Sequence, residues 1–281
     1  RMGEIGRPPA GGEGIARTLV VVLGALVSVP LVYLLLNQKT LVGWLLLGLF
    51  LALTVFFIAS GVRSRDKVQL HRYIAMLLLF LAKILFWGMF EQAGSSLNFF
   101  AKDHVQSPFD FTVFQSANPV FIILLAPLFA TLWIKLDKAE WNPSIPRKFA
   151  YGLAGAAIGF YVLVFAIQNF VDAGGKISWM WLTLTYLIHT MGELCLSPIG
   201  LAMVTKLARP QETGLAMGGW FLSIAMANYV AGRIAAIASG GNGHGETASS
   251  LAQYAGTFNQ LFILGIVIAA LFFLAAPLIN K

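Results

Sequence analysis

The chain has 281 residues, of which 58% are hydrophobic and 11% are charged. A typical soluble domain is about 45–50% apolar and about 25% charged, so this composition excludes an ordinary soluble protein. The net charge of +7 does not indicate nucleic-acid binding, because the basic residues lie at the ends of apolar segments and not in one patch or tail.

Apolar segments of bilayer length follow one another along the chain. Continuous apolar runs of about 20 residues predict transmembrane helices, whereas a membrane β-barrel would show short alternating segments. The predicted helices cover residues 15–36, 41–61, 72–100, 114–136, 149–171, 178–205, 213–238 and 254–279. The sequence therefore predicts an all-α polytopic membrane protein with eight transmembrane helices.

Four regions follow from this pattern. Residues 1–14 are rich in Gly and Pro and are predicted to be a linker; because the chain starts with Arg and not Met, further sequence is expected before it. Residues 15–61 form a two-helix transmembrane hairpin without an acidic residue inside either helix. A basic cytoplasmic loop, residues 62–71, separates this hairpin from a functional bundle of six helices, residues 72–281.

The basic residues also predict the orientation in the membrane. Cytoplasmic loops carry an excess of Lys and Arg, and most basic residues of this chain fall on one side of the predicted spans. On the other side we find Lys39, Lys102 and Lys176. Both ends of the chain are therefore predicted to be cytoplasmic.

Motifs for hydrolytic, redox or metal chemistry are missing from the sequence. Cys195 is the single cysteine, so an internal disulfide is excluded, and the four histidines are scattered. No phosphate loop, zinc spacing or nucleophile elbow is present. The sequence therefore predicts no enzyme, no cofactor and no metal.

Glu91 and Glu193 lie well within apolar spans. A charge at the bilayer centre costs about 2.5–3.5 kcal/mol on insertion scales, so an intramembrane carboxyl indicates a functional site. Such a group can take up and release a proton, or can pair with a cationic ligand. The alternative is a structural glutamate that is hydrogen-bonded to a facing helix.

Two basic side chains lie close to these glutamates in sequence. Lys83 precedes Glu91 by eight residues, about 12 Å along a helix axis, so the two are not direct partners. Lys83 either reaches toward the cytoplasmic boundary or lines an aqueous vestibule. His189 precedes Glu193 by four residues and shares its helix face, where it either bonds to the carboxylate or bonds to a backbone carbonyl.

Further polar and aromatic residues complete the candidate site. Pro198 frees a backbone carbonyl beside Glu193 and Ser197, and such helix breaks are used in ligand sites. The amide of Asn118 can donate to and accept from a peptide-like ligand, although a helix cap explains it equally well. Trp220 follows two glycines and is either a cavity wall or an interfacial anchor.

Several of these residues lie in motifs that resemble one transporter family. The motifs are FEQAGSS at 90–96, FQSANP at 114–119, GELCLSPIG at 192–200 and MGGWFL at 217–222. In this order and at these separations they resemble the proton-dependent oligopeptide transporter family of the major facilitator superfamily. The resemblance covers essentially the whole chain.

This resemblance implies a fold and a set of roles. The six later helices would be helices seven to twelve of a major facilitator fold, and the hairpin would be the helix pair that bacterial members insert between their two six-helix bundles. Glu91 would be the protonation and salt-bridge residue, and Glu193 would receive the amino terminus of the peptide. Asn118 and Ser197 would contact the peptide, and Trp220 would line the pocket.

The family's amino-terminal motif Glu-x-x-Glu-Arg and the lysine of its fourth helix do not occur in this chain. The expected partners are therefore the amino-terminal six-helix half of the same transporter, protons, a di- or tripeptide and the lipid bilayer of a bacterial inner membrane. The leading hypothesis is proton-coupled symport of di- and tripeptides. The alternatives are a carrier of another small solute, which the carboxylate of Glu193 disfavours for simple anions, and a membrane scaffold or proton-conducting subunit.

Overall fold

The structure, a computed structural model, describes residues 13–238 and 251–279, with the backbone alone at 13–17, 36, 197–199 and 278–279. Of the predicted linker, all but the last two residues lie outside these ranges. The α-helices of the described residues are α1 Glu13–Asn37, α2 Lys39–Arg63, α3 Lys67–Phe90, α4 Ser96–His104, α5 Ala117–Lys138, α6 Ile145–Asn169, α7 Trp179–Leu207, α8 Thr213–Ala238 and α9 Leu251–Ile279.

Eight segments in the described part of the chain are long and apolar enough to cross a membrane. One of them, Lys67–His104, joins α3 and α4, and each of the others contains a single α-helix. Because helices satisfy their own backbone hydrogen bonds, they are the structure expected for such segments in lipid. The prediction of an all-α polytopic membrane protein with eight spans is confirmed.

Two compact units make up the chain, one over residues 1–49 and the other over 50–281. The first contains α1 and the beginning of α2, and no residue of the apolar segment Thr18–Leu35 is buried. An exposed surface of Leu and Val is stable in a bilayer, because lipid tails are as apolar as these side chains. The second unit contains the later part of α2, all following elements and the candidate site.

A tight turn joins α2 to α3 inside the segment that was predicted to be a basic loop, residues 62–71. Arg65 takes a left-handed conformation with φ of 54°. The side chain of Asp66 accepts hydrogen bonds from two backbone N–H groups at the start of α3, at 3.0 and 3.2 Å. This N-cap satisfies amides that a helix start leaves free, so α3 begins at Lys67, within the predicted loop.

Glu212, in a short 3₁₀ turn before α8, connects α2 and α3. Ser60 Oγ donates to Glu212 Oε1 at 2.6 Å, and the hydroxyl of Tyr73 donates to Glu212 Oε2. Next to them, the rings of Phe57 and Tyr73 lie 5.1 Å apart. We call Ser60, Tyr73 and Glu212 the Glu212 clamp, since it fixes the end of α2 to the bundle.

The third predicted span is not one continuous helix. A 3₁₀ turn at Glu91–Gly94 separates α3 from α4. The carbonyl oxygen of Ala93 in this turn accepts hydrogen bonds from Gln115 Nε2 at 2.9 Å and from the hydroxyl of Tyr186 at 3.3 Å. The side-chain amide of Gln92 donates to a backbone carbonyl of α8 at 3.2 Å. Neighbouring elements thus bond to the polar groups of the break, which makes it tolerable within the membrane.

The main hydrophobic core lies among α3, α4, α6, α7 and α9. Its largest fully buried side chains include Phe86, Phe100, Phe160 and Phe258. The rings of Phe100 and Phe258 lie 5.4 Å apart and meet edge to face, an arrangement that aromatic pairs prefer.

Glycines allow α6 and α7 to approach closely. A Cβ atom added at Gly152 would lie 2.8 Å from the carbonyl oxygen of Gly192, and one added at Gly155 would lie 3.1 Å from its Cα. Small residues at such spacing are typical of helix contacts in membranes, where close packing drives association. This contact fixes the position of α7, which carries Glu193.

A short parallel ladder joins the end of α4 to the start of α7. It pairs β1 (Val105–Gln106) with β2 (Ile177–Ser178), and Val105 lies opposite Ile177. Both of these apolar residues are buried.

Candidate functional site

Glu193 and Asn118, which the sequence predicts as substrate-binding residues, are in direct contact. Glu193 is 8% exposed, and its Oε2 accepts a hydrogen bond from Asn118 Nδ2 at 2.8 Å. The same amide nitrogen lies 3.1 Å from Thr190 Oγ1. Asn118 at the start of α5 therefore connects that helix to α7. Thr190 was not predicted, although it precedes Glu193 by three residues and so shares its helix face.

Ser197 follows Glu193 by four residues on α7, but its side chain lies outside the described part of the chain. The backbone there belongs to α7, which extends over Trp179–Leu207. Its assignment as a substrate contact stays a prediction.

A cavity of about 280 Å³ opens among α3, α6, α7 and α8. Its lining residues are Lys83, Trp87, Glu91, Phe149, Leu196, Leu201, Trp220 and Ile224. It brings two predicted site residues, Glu91 and Trp220, into one space. Glu193, Asn118 and His189 do not belong to its lining.

Glu91 is the negative charge of this cavity. It lies at the end of α3, is half-buried, and its carboxylate has no hydrogen-bond donor among the described residues. A carboxylate that lines an internal space without a donor can bind a proton or pair with a cationic group.

Lys83 is the positive charge of the cavity. It is 3% exposed, and its Nζ lies 3.3 Å from the centroid of the Trp220 ring and donates to the Trp220 carbonyl oxygen at 3.2 Å. Of the two positions that the sequence left open, the structure shows Lys83 lining an internal space. Trp220 is correspondingly a wall of the cavity, the first of its two predicted positions.

His189 faces α6 and not Glu193. Its Nε2 is 2.9 Å from the carbonyl oxygen of Ala156, and the ring is 1% exposed beside Gly159 and Phe160. Of the two arrangements considered for His189, the structure shows the bond to a backbone carbonyl. Gly159 of α6 packs directly against the ring, so there is no room for a side chain at this position of α6.

Sequence reasoning missed Trp87 and left the position of Lys83 open. Both lie on the same side of α3 as Glu91, at intervals of four residues, which corresponds to a stripe along one helix face. This spacing was visible in the sequence. The residues that face the stripe come from α6, α7 and α8, and only the fold brings them there.

Metal ligands do not cluster in the described residues, where no group of three His, Cys, Asp or Glu side chains could hold an ion. Cys195 is buried and has no second thiol nearby.

Comparison with known proteins identifies the family. The sequence profile described as PTR2, POT family, matches residues 51–251, which is most of the chain. The chain belongs to the POT family. This POT family chain is 35% identical over 241 residues to the peptide transporter YePEPT of Yersinia enterocolitica subsp. palearctica serotype O:3, covering 81% of this chain and 47% of the relative.

Two further comparisons extend this family likeness over nearly the whole chain. Dipeptide and tripeptide permease A of Yersinia pestis is 32% identical over 267 residues, which cover 93% of this chain and 52% of the permease. A crystal structure of the peptide transporter POT in complex with sulfate superimposes with a TM-score of 0.76 at 30% identity, covering 97% of this chain and 55% of that one. This POT family chain therefore spans about half the length of the relatives it matches.

Proposed function

We propose that this chain supplies the carboxy-terminal half of the binding cavity of a proton-coupled symporter of di- and tripeptides. The observation that carries the proposal is the cavity beside α3, whose lining includes the carboxylate of Glu91 without a hydrogen-bond donor among the described residues. The names of the relatives, a peptide transporter and a dipeptide and tripeptide permease, support the same substrate class.

Each acidic residue has its own role in this proposal. Glu91 binds the coupling proton, because its carboxylate opens on the cavity and has no competing donor. Glu193 receives the amino group of the peptide, and Asn118 holds its carboxylate in place until the ligand arrives. Ser197 contacts the peptide from the next turn of α7, and Trp220 forms the wall against which the peptide packs.

The cavity fits a small ligand. Pockets for drug-sized molecules measure about 300–1,000 Å³, and this one, at about 280 Å³, lies just below that range, as expected for one half of a binding cavity. Its lining combines aromatic walls with a few charged groups, the usual composition of a binding site for a small polar molecule. A short peptide has the required size and carries both charges.

The transporter requires a second half and a membrane orientation. The proposed partner is an amino-terminal six-helix bundle of the same protein, because alternating access depends on two bundles that move about a shared central site. The protein resides in a bacterial inner membrane with both ends of this chain in the cytoplasm, as the Lys and Arg distribution predicts. It acts as a carrier and not as an enzyme.

The test is uptake of a labelled dipeptide into vesicles that contain the full-length transporter with this chain, driven by external acidification. We expect saturable uptake that disappears when the proton gradient is removed and that Glu193→Gln abolishes. Glu140→Gln is the matched control, since Glu140 is exposed and outside the spans, and it should transport as the wild type does.

Other outcomes separate the alternatives. A folded, full-length protein that takes up another solute but no peptide would indicate a carrier of that solute. A protein that takes up no solute but conducts protons would indicate a scaffold or proton-conducting subunit.

A further inference from the structure

The later part of α2 packs along the start of α8 and contacts it at two points. At the first, Ser60 Oγ of α2 donates to Glu212 in the Glu212 clamp. At the second, Leu53 of α2 lies against the backbone of Gly219. Leu53 precedes Ser60 by seven residues, and Gly219 follows Glu212 by seven. The two segments are therefore in contact over about 10 Å of helix length.

Gly219 allows this close approach. A Cβ atom added at Gly219 would lie 3.0 Å from Leu53 Cδ2 and 2.8 Å from Cε2 of Phe80 on α3. Atoms overlap at such distances, so a side chain at position 219 would push α2 or α3 away from α8. Close packing at small residues drives helix association in lipid. The three helices thus meet at the backbone of Gly219.

This contact lies directly beside Trp220, a wall of the cavity. The rings of Phe80 and Trp220 meet edge to face, with their centroids 6.3 Å apart. Trp220 also packs against the hydrophobic cluster to which Leu53 belongs. Leu53 is 8% exposed and does not itself line the cavity. A side chain outside the cavity therefore supports the residue that forms its wall.

The indole of Trp220 has little room to move without changing the cavity. One face of the ring lies 3.3 Å from Lys83 Nζ on α3. On α7, a Cβ atom added at Gly200 would overlap the outer edge of the ring. Because packed interiors transmit small displacements, a shift of the α8 backbone at Gly219 would alter both contacts.

We propose that Leu53 is a positioning residue of the binding cavity. Through the backbone of Gly219 it sets the place of Trp220, and thereby the affinity for the substrate, without touching the ligand. This inference rests on the proposed function and gives the hairpin helix α2 a part in substrate binding. Shortening Leu53 leaves a void behind Gly219 into which α8 relaxes, and the Trp220 ring shifts with its helix.

The first experiment compares Leu53→Ala with Leu51→Ala in the full-length transporter. Leu51 is the matched control, since it loses the same atoms on the same helix but is 54% exposed. For Leu53→Ala we expect KM for labelled Ala-Ala to rise about two- to tenfold, the fold-change for loss of one aromatic contact, with kcat unchanged. Leu51→Ala should keep the wild-type KM. Leu53→Met, which refills the void, should restore it.

A double-mutant cycle shows whether Leu53 acts through Trp220. In a Trp220→Leu background, Leu53→Ala should raise KM no further, because there is no indole left to reposition. A general loss of stability would instead reduce the amount of folded transporter, and it would do so in both backgrounds.

A second readout does not depend on transport. Fluorotryptophan is incorporated into the full-length protein, and the fluorine resonance of Trp220 is identified as the one that Trp220→Phe lacks. This resonance should shift in Leu53→Ala and stay in place in Leu51→Ala. If Leu53→Ala does not fold, Leu53→Val takes its place in each test, with effects of the same direction and smaller size.

An unchanged Trp220 resonance, an unchanged KM, or an equal rise of KM in both backgrounds would overturn the role of Leu53 and leave the proposed function standing. If the wild type takes up no peptide, the proposed function fails, and the fluorine spectra still decide whether Leu53 positions Trp220.

Discussion

Glu91 and Glu193 carry the same side chain within apolar spans, but their surroundings differ. Glu193 is buried and accepts a hydrogen bond of 2.8 Å from the Asn118 amide. Glu91 is half-buried, lines the cavity and has no donor among the described residues. One carboxylate is held by the protein itself, and the other is available to whatever enters the cavity.

With two such carboxylates, one helix bundle can keep ligand recognition and proton binding on separate residues. A carboxylate that already accepts a hydrogen bond keeps its position and geometry, which suits the recognition of a ligand group. A carboxylate without a donor has no hydrogen bond to lose when it accepts a proton, which suits proton coupling. In the proposed function, the same residue type therefore serves binding on α7 and proton coupling at the end of α3.

Substitution of each glutamate by glutamine should separate proton coupling from ligand binding. Glu91→Gln should abolish accumulation driven by a proton gradient, since the amide cannot bind the proton, while exchange of labelled for unlabelled peptide without a gradient persists. Glu193→Gln should abolish both, because it removes the charge that receives the amino group. Uptake and exchange in vesicles measure this directly. Undiminished accumulation by Glu91→Gln would contradict the division.

Asn118→Ala would leave Glu193, like Glu91, without a side-chain amide donor. Asn118→Ala removes the donor to a buried carboxylate, and a hydrogen bond to a charged group contributes about 1.5–3 kcal/mol. We expect a loss of that size in the free energy of unfolding, together with a raised KM for peptides. Thermal unfolding in detergent and uptake kinetics measure the two quantities.

Asn142→Ala is the control for that substitution. Asn142 also donates to a carboxylate, Asp137 Oδ1 at 2.9 Å, but this pair is exposed. Exposed polar pairs contribute little, about 0.5 kcal/mol or less. A loss for Asn118→Ala no larger than for Asn142→Ala would mean that the bond to Glu193 does not hold α5 against α7.

A third substitution tests whether Glu193 has a proton relay beside it. His189→Leu removes the side-chain N–H that donates to the Ala156 carbonyl, so we expect a destabilisation of about 1–2 kcal/mol. The pH profile of peptide uptake should not change, because His189 faces α6. A shifted profile would return His189 to the proton pathway.

A substitution of Asp110, an exposed residue outside the membrane spans, should change the stability of the protein only slightly. The hydroxyl of Thr112 at 2.5 Å and its backbone N–H at 2.9 Å donate to Asp110, and they hold the pKa of Asp110 below its usual range. A lowered pKa stabilises the folded state above the unfolded pKa, and the effect is lost as the pH falls through the folded value. Asp110→Asn should therefore lower the unfolding midpoint slightly at pH 7 and not at acidic pH.

The number and positions of the spans could be predicted because the bilayer imposes a length and a composition on each helix. The break at Glu91–Gly94 was not predicted, although polar and small residues cluster there, because contacts from distant elements, among them Gln115 and Tyr186, stabilise it. The sequence was compatible with a bond from His189 to Glu193 or to a backbone carbonyl. The packing of α6 against the ring at Gly159 explains why the structure has the bond to the carbonyl.

The candidate site was predictable in its acidic members and not in its basic one. Glu91 and Glu193 stand out because carboxylates are rare in apolar spans. The environment of Lys83 depends on Trp220, 137 residues later in the chain, and no local pattern connects them. Pairings of this kind arise only when the helices are packed.

The Glu212 clamp holds three parts of the bundle at fixed positions relative to one another. Because Ser60, Tyr73 and Glu212 tie α2, α3 and the turn before α8 to one carboxylate, these parts form a single mechanical body. Spin labels at the exposed positions Arg63 and Gln211, introduced after replacement of the single Cys195, would form a ruler of constant length. Distances from these two labels to a third label on another helix would then report the movement of that helix during a transport cycle.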